Sequence, residues 1–196
     1  MQAGEHLVEF ILTHKDMPRD KAKAISERFT VQKFEKNSFV LIEGQRCREY
    51  HFLVNGFMRS WTNDLDGREI TTAFHPAGTV VCELFSFFKN VPAGENIQAL
   101  TLCEVLTITF SELQNAFHSL PEFREFGRSI LINAYAELKH RMLSSLHHTA
   151  EERYKQMLIT WPQLFHYASL KQIASFLGVT DTSLSRIRAS VAKGGA

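Results

Sequence analysis

Residues 31–110 carry a turn signal roughly every 10–12 positions, and this spacing constrains the fold more than any other feature of the chain. The signals are Glu43-Gly44, Asn55-Gly56, Asp64-Leu65-Asp66-Gly67, Pro76-Ala77-Gly78 and Pro92-Ala93-Gly94. The segments between them are short and rich in Phe, Val, Ile, Leu and Thr, the residues that suit a pleated, half-buried surface. Strands separated by turns at this spacing mean an antiparallel sandwich or barrel. Asn55-Gly56, between residues 50–54 and 57–61, is read as the tight turn of a β-hairpin, because both residues tolerate positive φ.

The texture is helical on either side. Leu7, Val8, Phe10, Ile11 and Leu12, then Ala22, Ala24, Ile25 and Phe29, recur at helix-like spacing around a break at Met17-Pro18-Arg19-Asp20. After Pro121, the residues Phe123, Phe126, Ile130, Ala134, Leu138, Met142 and Leu146 step by three or four with no Gly or Pro beyond Gly127. That pattern predicts one long helix, and Leu131 and Tyr135 widen its apolar stripe. A small β-domain cannot cover so broad a stripe, so Ile130, Leu131, Ala134, Tyr135, Leu138 and Met142 are expected to meet the same helix of a second copy. The alternative is a helix packed inside one chain between two domains. Thr149, with Glu152 three positions on, fits a capping box that opens the next helix, and Trp161-Pro162 ends it.

The end of the chain carries the functional signal. Leu170, Ile173, Ala174 and Leu177 would form the inward face of one short helix, and Leu184, Ile187 and Val191 that of the next. Ala174 lets two helices cross closely, Gly178 suits a left-handed turn between them, and Thr180 can cap the second. The outward side of that second helix then presents Asp181, Thr182, Ser185, Arg186 and Arg188. A DNA-recognition helix needs such an array, since Arg can bond guanine bidentately and hydroxyls reach phosphates or base edges. Ser169, Lys171, Thr180 and Ser183 complete the candidate DNA contacts. A plain helical hairpin with a solvated face has the same spacing.

Composition narrows the alternatives. With 44% apolar and 22% charged residues the chain is an ordinary globular protein. Its formal charge of +1 conceals an asymmetry, because residues 151–196 carry a net +3 and residues 1–150 a net −2. Cys47, Cys82 and Cys103 are far apart and odd in number, which argues against a disulfide framework and for a reducing compartment. No cysteine cluster suits zinc or iron–sulfur, and a haem would need an axial ligand that His75 before Pro76 supplies poorly, so no cofactor or metal is expected. The nine histidines fall in no metallo-hydrolase spacing, and no nucleophile elbow, P-loop or dinucleotide fingerprint is present, which argues against an enzyme. No signal-peptide build opens the chain and no apolar run approaches the roughly 20 residues that span a bilayer, so a cytoplasmic protein without membrane contact is expected.

Several of these segments together resemble the Crp/Fnr family of bacterial transcription regulators over nearly the whole chain. Ile42-Glu43-Gly44, Tyr50-His51-Phe52-Leu53-Val54-Asn55-Gly56, Asp66-Gly67-Arg68-Glu69, Phe74-His75-Pro76-Ala77-Gly78 and Glu83-Leu84 are similar to that family's cyclic-nucleotide-binding jelly roll in order and spacing. Ile173-Ala174-Ser175-Phe176-Leu177-Gly178-Val179-Thr180 and Leu184-Ser185-Arg186-Ile187 resemble its helix-turn-helix, in a shortened form like that of Bacteroidetes-type members. The resemblance implies that Ser185 and Arg186 contact the operator, while Thr182 stands where members usually carry a cytosine-reading Glu.

It also implies an effector site in the roll, for which Phe74, Val81, Glu83, Leu84, Phe85, Gly94, Glu95 and Ile97 are the candidates. Cyclic AMP is not the expected occupant. Cys82-Glu83-Leu84 keeps the ribose-binding acid but not the preceding Gly, Ala93-Gly94 falls where the phosphate-binding Arg-Ser pair would be, and Leu138-Lys139 falls where the purine-binding Thr-Ser pair would be. An anion buried without a cation would cost several kcal/mol.

The fold expected is α+β: an antiparallel β-roll with a helical lead-in at 1–120, a dimerisation helix at 121–149 and a winged-helix-like helix-turn-helix domain at 150–196. The function expected is homodimeric, sequence-specific regulation of transcription. The partners would be double-stranded DNA with a palindromic operator, a second copy, an unknown small effector and, as a further candidate, RNA polymerase. The rival is a ligand-binding or interaction module whose helix-turn-helix is non-functional.

Overall fold

The computed structural model describes residues 2–194. In chain order the elements are α1 (Ala3–His14), α2 (Arg19–Ser26), β1 (Thr30–Phe34), β2 (Phe39–Leu41), β3 (Glu49–Asn55), β4 (Phe57–Asn63), β5 (Glu69–Pro76), β6 (Thr79–Val81), α3 (Leu84–Lys89), β7 (Asn96–Ala99) and β8 (Cys103–Thr109). Helices follow to the end: α4 (Phe110–Ser119), α5 (Pro121–His147), α6 (Ala150–Thr160), α7 (Leu164–Tyr167), α8 (Leu170–Phe176) and α9 (Asp181–Gly194). The strands make two four-stranded sheets, ordered β1-β8-β3-β6 and β2-β7-β4-β5. Pairing is antiparallel, with β8 lying against both β1 and β3. The expected α+β class, with an antiparallel N-terminal domain and a helical C-terminal region, is what the chain forms.

Asn55-Gly56 is not a hairpin turn. β3 pairs with β6 and β8, whereas β4 lies in the other sheet, so the dipeptide is a corner at which the chain leaves one sheet for the other. Gly56 is at φ +101°, and a Cβ there would stand 2.6 Å from both Cys103 Sγ and the Leu102 carbonyl. Asn-Gly fixes only the local dihedrals, while the partner of each strand is decided by the apolar faces it must bury. The tight hairpin lies one turn later, between β4 and β5. There the Asp64 carboxylate accepts from the Asp66 and Arg68 amides and the Gly67 amide donates to the Asp64 carbonyl.

Two compact units result, one of residues 1–60 and 74–134, the other of residues 61–73 and 135–196. In the first, Leu7, Val8 and Ile11 of α1 and Ala22 and Ile25 of α2 pack with Phe52, Leu106 and Ile108 of the roll. Leu113 and Ala116 of α4, with Phe123 and Phe126 of α5, close the same cluster. Burying one such large side chain stabilises by about 1.5–3 kcal/mol, so this cluster anchors both the helical lead-in and the start of α5. A second cluster of Leu41, Leu53, Met58, Val81, Ile97 and Val105 fills the roll. α4 was not foreseen in the sequence, although Thr109-Phe110-Ser111-Glu112 is a capping box, with both reciprocal bonds formed.

The apolar stripe of α5 is buried only at its beginning. Phe123 and Phe126 are in the core, Ile130 is half-buried, and every residue from 131 to 140 is exposed. Among the described residues no helix is long and apolar enough to cross a membrane.

Candidate nucleic-acid interface

The second unit is built from caps upward. Thr149 accepts the Glu152 amide and Glu152 accepts the Thr149 amide, which starts α6 as the sequence implied. Ser169 and Gln172 repeat the reciprocal arrangement at the start of α8, at 3.2 and 2.8 Å. α8 ends where Gly178 turns into the left-handed region at φ +67° and the Val179 amide donates to the Ala174 carbonyl. The Thr180 hydroxyl then accepts the Ser183 amide at 3.2 Å, opening α9. A local cap, a glycine turn and a second cap thus join α8 to α9.

Its interior matches the expected faces with one exception. Ile173, Ala174, Leu177 and Leu184 are buried, and Ile187 and Val191 are half-buried. Leu170, the first residue of α8, is instead 41% exposed. Asp181, Thr182, Ser185, Arg186 and Arg188 all lie exposed on α9, with Ser169, Lys171 and Thr180 exposed at the helix starts. Ser183 is half-buried and serves the cap; the Ser185 hydroxyl bonds back to the Asp181 carbonyl at 3.0 Å, a weak local bond that it can exchange for a ligand.

The basic bias of this segment divides in two. Arg153 is an internal strut: its guanidinium donates to the Ser145 and His148 carbonyls at the end of α5 and to the Leu177 carbonyl at the end of α8. Lys155 pairs with Glu151 at 2.8 Å. Lys171, Arg186, Arg188 and Lys193 are exposed and form no ion pair among the described residues, so the cations left to solvent are those around α8 and α9.

No strand occurs within 150–194 among the described residues, so that segment supplies no β-wing of its own. Strand residues of this unit come from 61–73. The buried Thr71 donates its amide to Ser175 Oγ at 2.8 Å, and the Ser175 hydroxyl lies 2.9 Å from Thr71 Oγ1, which fixes the segment to α8.

In the first unit, the expected effector residues differ widely in exposure. Phe74, Val81 and Ile97 are fully packed, and Phe85 is 66% exposed. Leu84 and Glu95 are half-buried and Gly94 is exposed. The Glu83 carboxylate, the acid foreseen for a ribose, caps α3 by accepting the Phe85 and Ser86 amides at 3.1 and 2.8 Å. At Ala93-Gly94, the Ala93 amide donates to the Gln45 carbonyl at 2.7 Å. An apolar groove elsewhere in this unit, lined by Leu7, Phe10, Phe52, Leu113, Phe117 and Phe126 among others, shares no residue with the expected set. Sequence reading also missed Arg59, a cation 2% exposed on β4; the run Phe57-Met58-Arg59-Ser60, buried at all four positions, breaks the alternation that would have marked it.

Residues 31–119 match the cyclic nucleotide-binding domain family. Solved structures extend the likeness beyond this domain. The c-di-GMP responsive global regulator CLP of Xanthomonas campestris superposes with a TM-score of 0.70 at 14% identity, covering 91% of this chain and 93% of that one. FixK2 of Bradyrhizobium japonicum gives 0.66 at 22% identity, covering 85% and 86%. A transcriptional regulator of the Crp/Fnr family from Eubacterium rectale gives 0.70 at 14%, covering 91% and 86%. Identities this low establish a shared fold, that of a cyclic nucleotide-binding domain followed by a helical C-terminal region. No curated protein matches the chain in sequence.

Proposed function

We propose that this chain is a DNA-binding transcription regulator of the Crp/Fnr type, acting as a homodimer. The observation that carries the reading is the exposed polar side of α9, where Asp181, Thr182, Ser185, Arg186 and Arg188 face solvent on a helix pair capped at both of its starts. In the major groove, Arg186 would bond a guanine and Ser185 a phosphate or base edge, while Ser169 and Lys171 at the head of α8 would meet the backbone. The exposed stripe of α5 supports the dimer: Leu131, Tyr135, Leu138 and Met142 follow a 4-3-4 spacing, each at least 44% exposed in the single chain. Two copies would set two α9 helices against half-sites one helical turn apart.

The three-part reading of the chain, sensor at 1–120, dimer helix at 121–149 and DNA-binding domain at 150–196, belongs to the same proposal. A cyclic nucleotide-binding fold supports a small effector, but the capping role of Glu83 and the Ala93-Gly94 sequence point away from cyclic AMP. The effector would act by biasing the spacing of the paired recognition helices.

The test is DNA affinity of the wild type and of Arg186→Ala as a function of salt, on sites selected from random DNA. A base-reading arginine gives the variant a loss of about 1–3 kcal/mol and relaxed preference at one position of a two-fold symmetric motif. Equal, weak binding with the same salt slope overturns the reading and leaves a ligand-binding or interaction module.

A further inference from the structure

Two of the three cysteines, 35 positions apart in sequence, come together in the first unit: Cys47 Sγ lies 3.8 Å from Cys82 Sγ. Neither is bonded to another cysteine, and both residues are half-buried. The third, Cys103, is fully buried and has its own partners in the Phe57 and Thr101 carbonyls. The sequence spacing gave no sign of this pair, because the contact is made by the fold. Cys47 sits between β2 and β3, and Cys82 immediately precedes the Glu83 cap of α3.

The surroundings hold the two sulfurs in place. The Cys47 amide donates to Ser86 Oγ at 2.9 Å, and the fully buried Ser86 donates onward to the Val91 carbonyl, so the backbone at Cys47 is tied to α3. The contact with Cys82 holds Cys47 below the usual thiol range, helped by the Glu83 backbone and opposed by burial; Cys82 is pushed up by the contact with Cys47 and by burial. One sulfur is thus the better nucleophile and the other keeps its proton, the division that an attacking and a resolving cysteine require.

We propose that Cys47 and Cys82 form a redox-modification site that a small peroxide converts to an intramolecular disulfide. The Cys47 thiolate attacks one peroxide oxygen, the O–O bond breaks, and Cys47 becomes a sulfenic acid as the other oxygen leaves and takes up a proton as water. The Cys82 sulfur then attacks the sulfenic sulfur, the S–O bond breaks, and the leaving hydroxide takes the Cys82 proton as a second water. Two thiols supply two electrons and two protons, and one hydrogen peroxide is reduced to two waters. Closure needs the sulfurs to approach to about 2.05 Å, and the product staples the β2–β3 connection to the N-terminus of α3.

The experiment treats the full-length protein with one equivalent of hydrogen peroxide and counts thiols after denaturation. Free thiols should fall from three to one, with a peptide map joining Cys47 to Cys82 and the intact mass reduced by two hydrogens. Cys82→Ser should yield a dimedone-trappable sulfenic acid at Cys47 in place of the disulfide, Cys47→Ser should lose the reaction, and Cys103→Ser should leave it unchanged. Three thiols retained by the wild type, cross-links between chains, or oxidation of Cys47 to the sulfinic acid without joining Cys82 would each overturn the proposal. The wild-type map decides the matter even where a variant does not fold.

Discussion

Acidification from pH 7.5 to 4.5 should strip the β-roll of about 2.5 kcal/mol through a single side chain, His51. The ring lies on β3 at 4% exposure, with Nδ1 2.8 Å from Thr107 Oγ1 and its edge against Phe34. Burial lowers its pKa from 6.5 to about 4. The Glu49 carboxylate, 3.9 Å from Nε2, pulls the other way, but that side chain is 42% exposed and water screens it, so burial wins. Because the unfolded chain takes up the proton first, the contribution is complete above pH 6.5 and is lost as pH falls toward 4. The full shift corresponds to about 3.4 kcal/mol, of which about 2.5 is lost by pH 4.5. Urea unfolding at the two pH values, followed by circular dichroism for wild type and His51→Gln, isolates the effect. Glu112, Glu125, Glu151 and Glu152, all held below the usual carboxylate range by Thr109, Arg128, Lys155 and Thr149 respectively, are common to both proteins and cancel. Equal losses in the two proteins, or a His51 NMR midpoint near 6.5, would refute the reasoning.

Three other perturbations follow from described contacts. Gly56→Ala should cost about 2–5 kcal/mol in thermal unfolding, from positive φ and from a Cβ overlapping Leu102 and Cys103. Arg153→Ala should cost about 1–2 kcal/mol, chiefly because the half-buried Leu177 carbonyl loses its donor while water can replace it at Ser145 and His148; amide exchange should quicken at the ends of α5 and α8. Leu138→Glu should leave secondary structure intact, because the position is 56% exposed, yet sedimentation velocity should show a single protomer where the wild type sediments as a pair.

Legibility followed the range of the interactions. The start of α8 and the turn into α9 were readable because their determinants are local: Ser169 with Gln172, Gly178, and Thr180 with Ser183 each act within a few residues. The start of α6 at Thr149 was readable for the same reason, and α4 could have been, since Thr109 and Glu112 make the same box. Asn55-Gly56 was misread because a turn dipeptide reports dihedrals and not which sheet the next strand joins. Leu170 was placed inside because helical periodicity says which residues share a face and not how far along that face a neighbour reaches. The meeting of Cys47 with Cys82, the burial of Arg59 and the bond from Thr71 to Ser175 are products of tertiary contact alone.

That last bond has a consequence for how the chain can be cut. The unit bearing α8 and α9 is discontinuous: it borrows residues 61–73 from the middle of the strand-rich region and fastens them through Thr71. Any fragment that begins between positions 74 and 134 starts downstream of a piece of its own domain, leaving Ser175 facing water where it faced a strand. Swapping the C-terminal helices onto another roll would therefore require transplanting residues 61–73, the end of β4 and the start of β5, as well, and a natural recombination event would meet the same requirement.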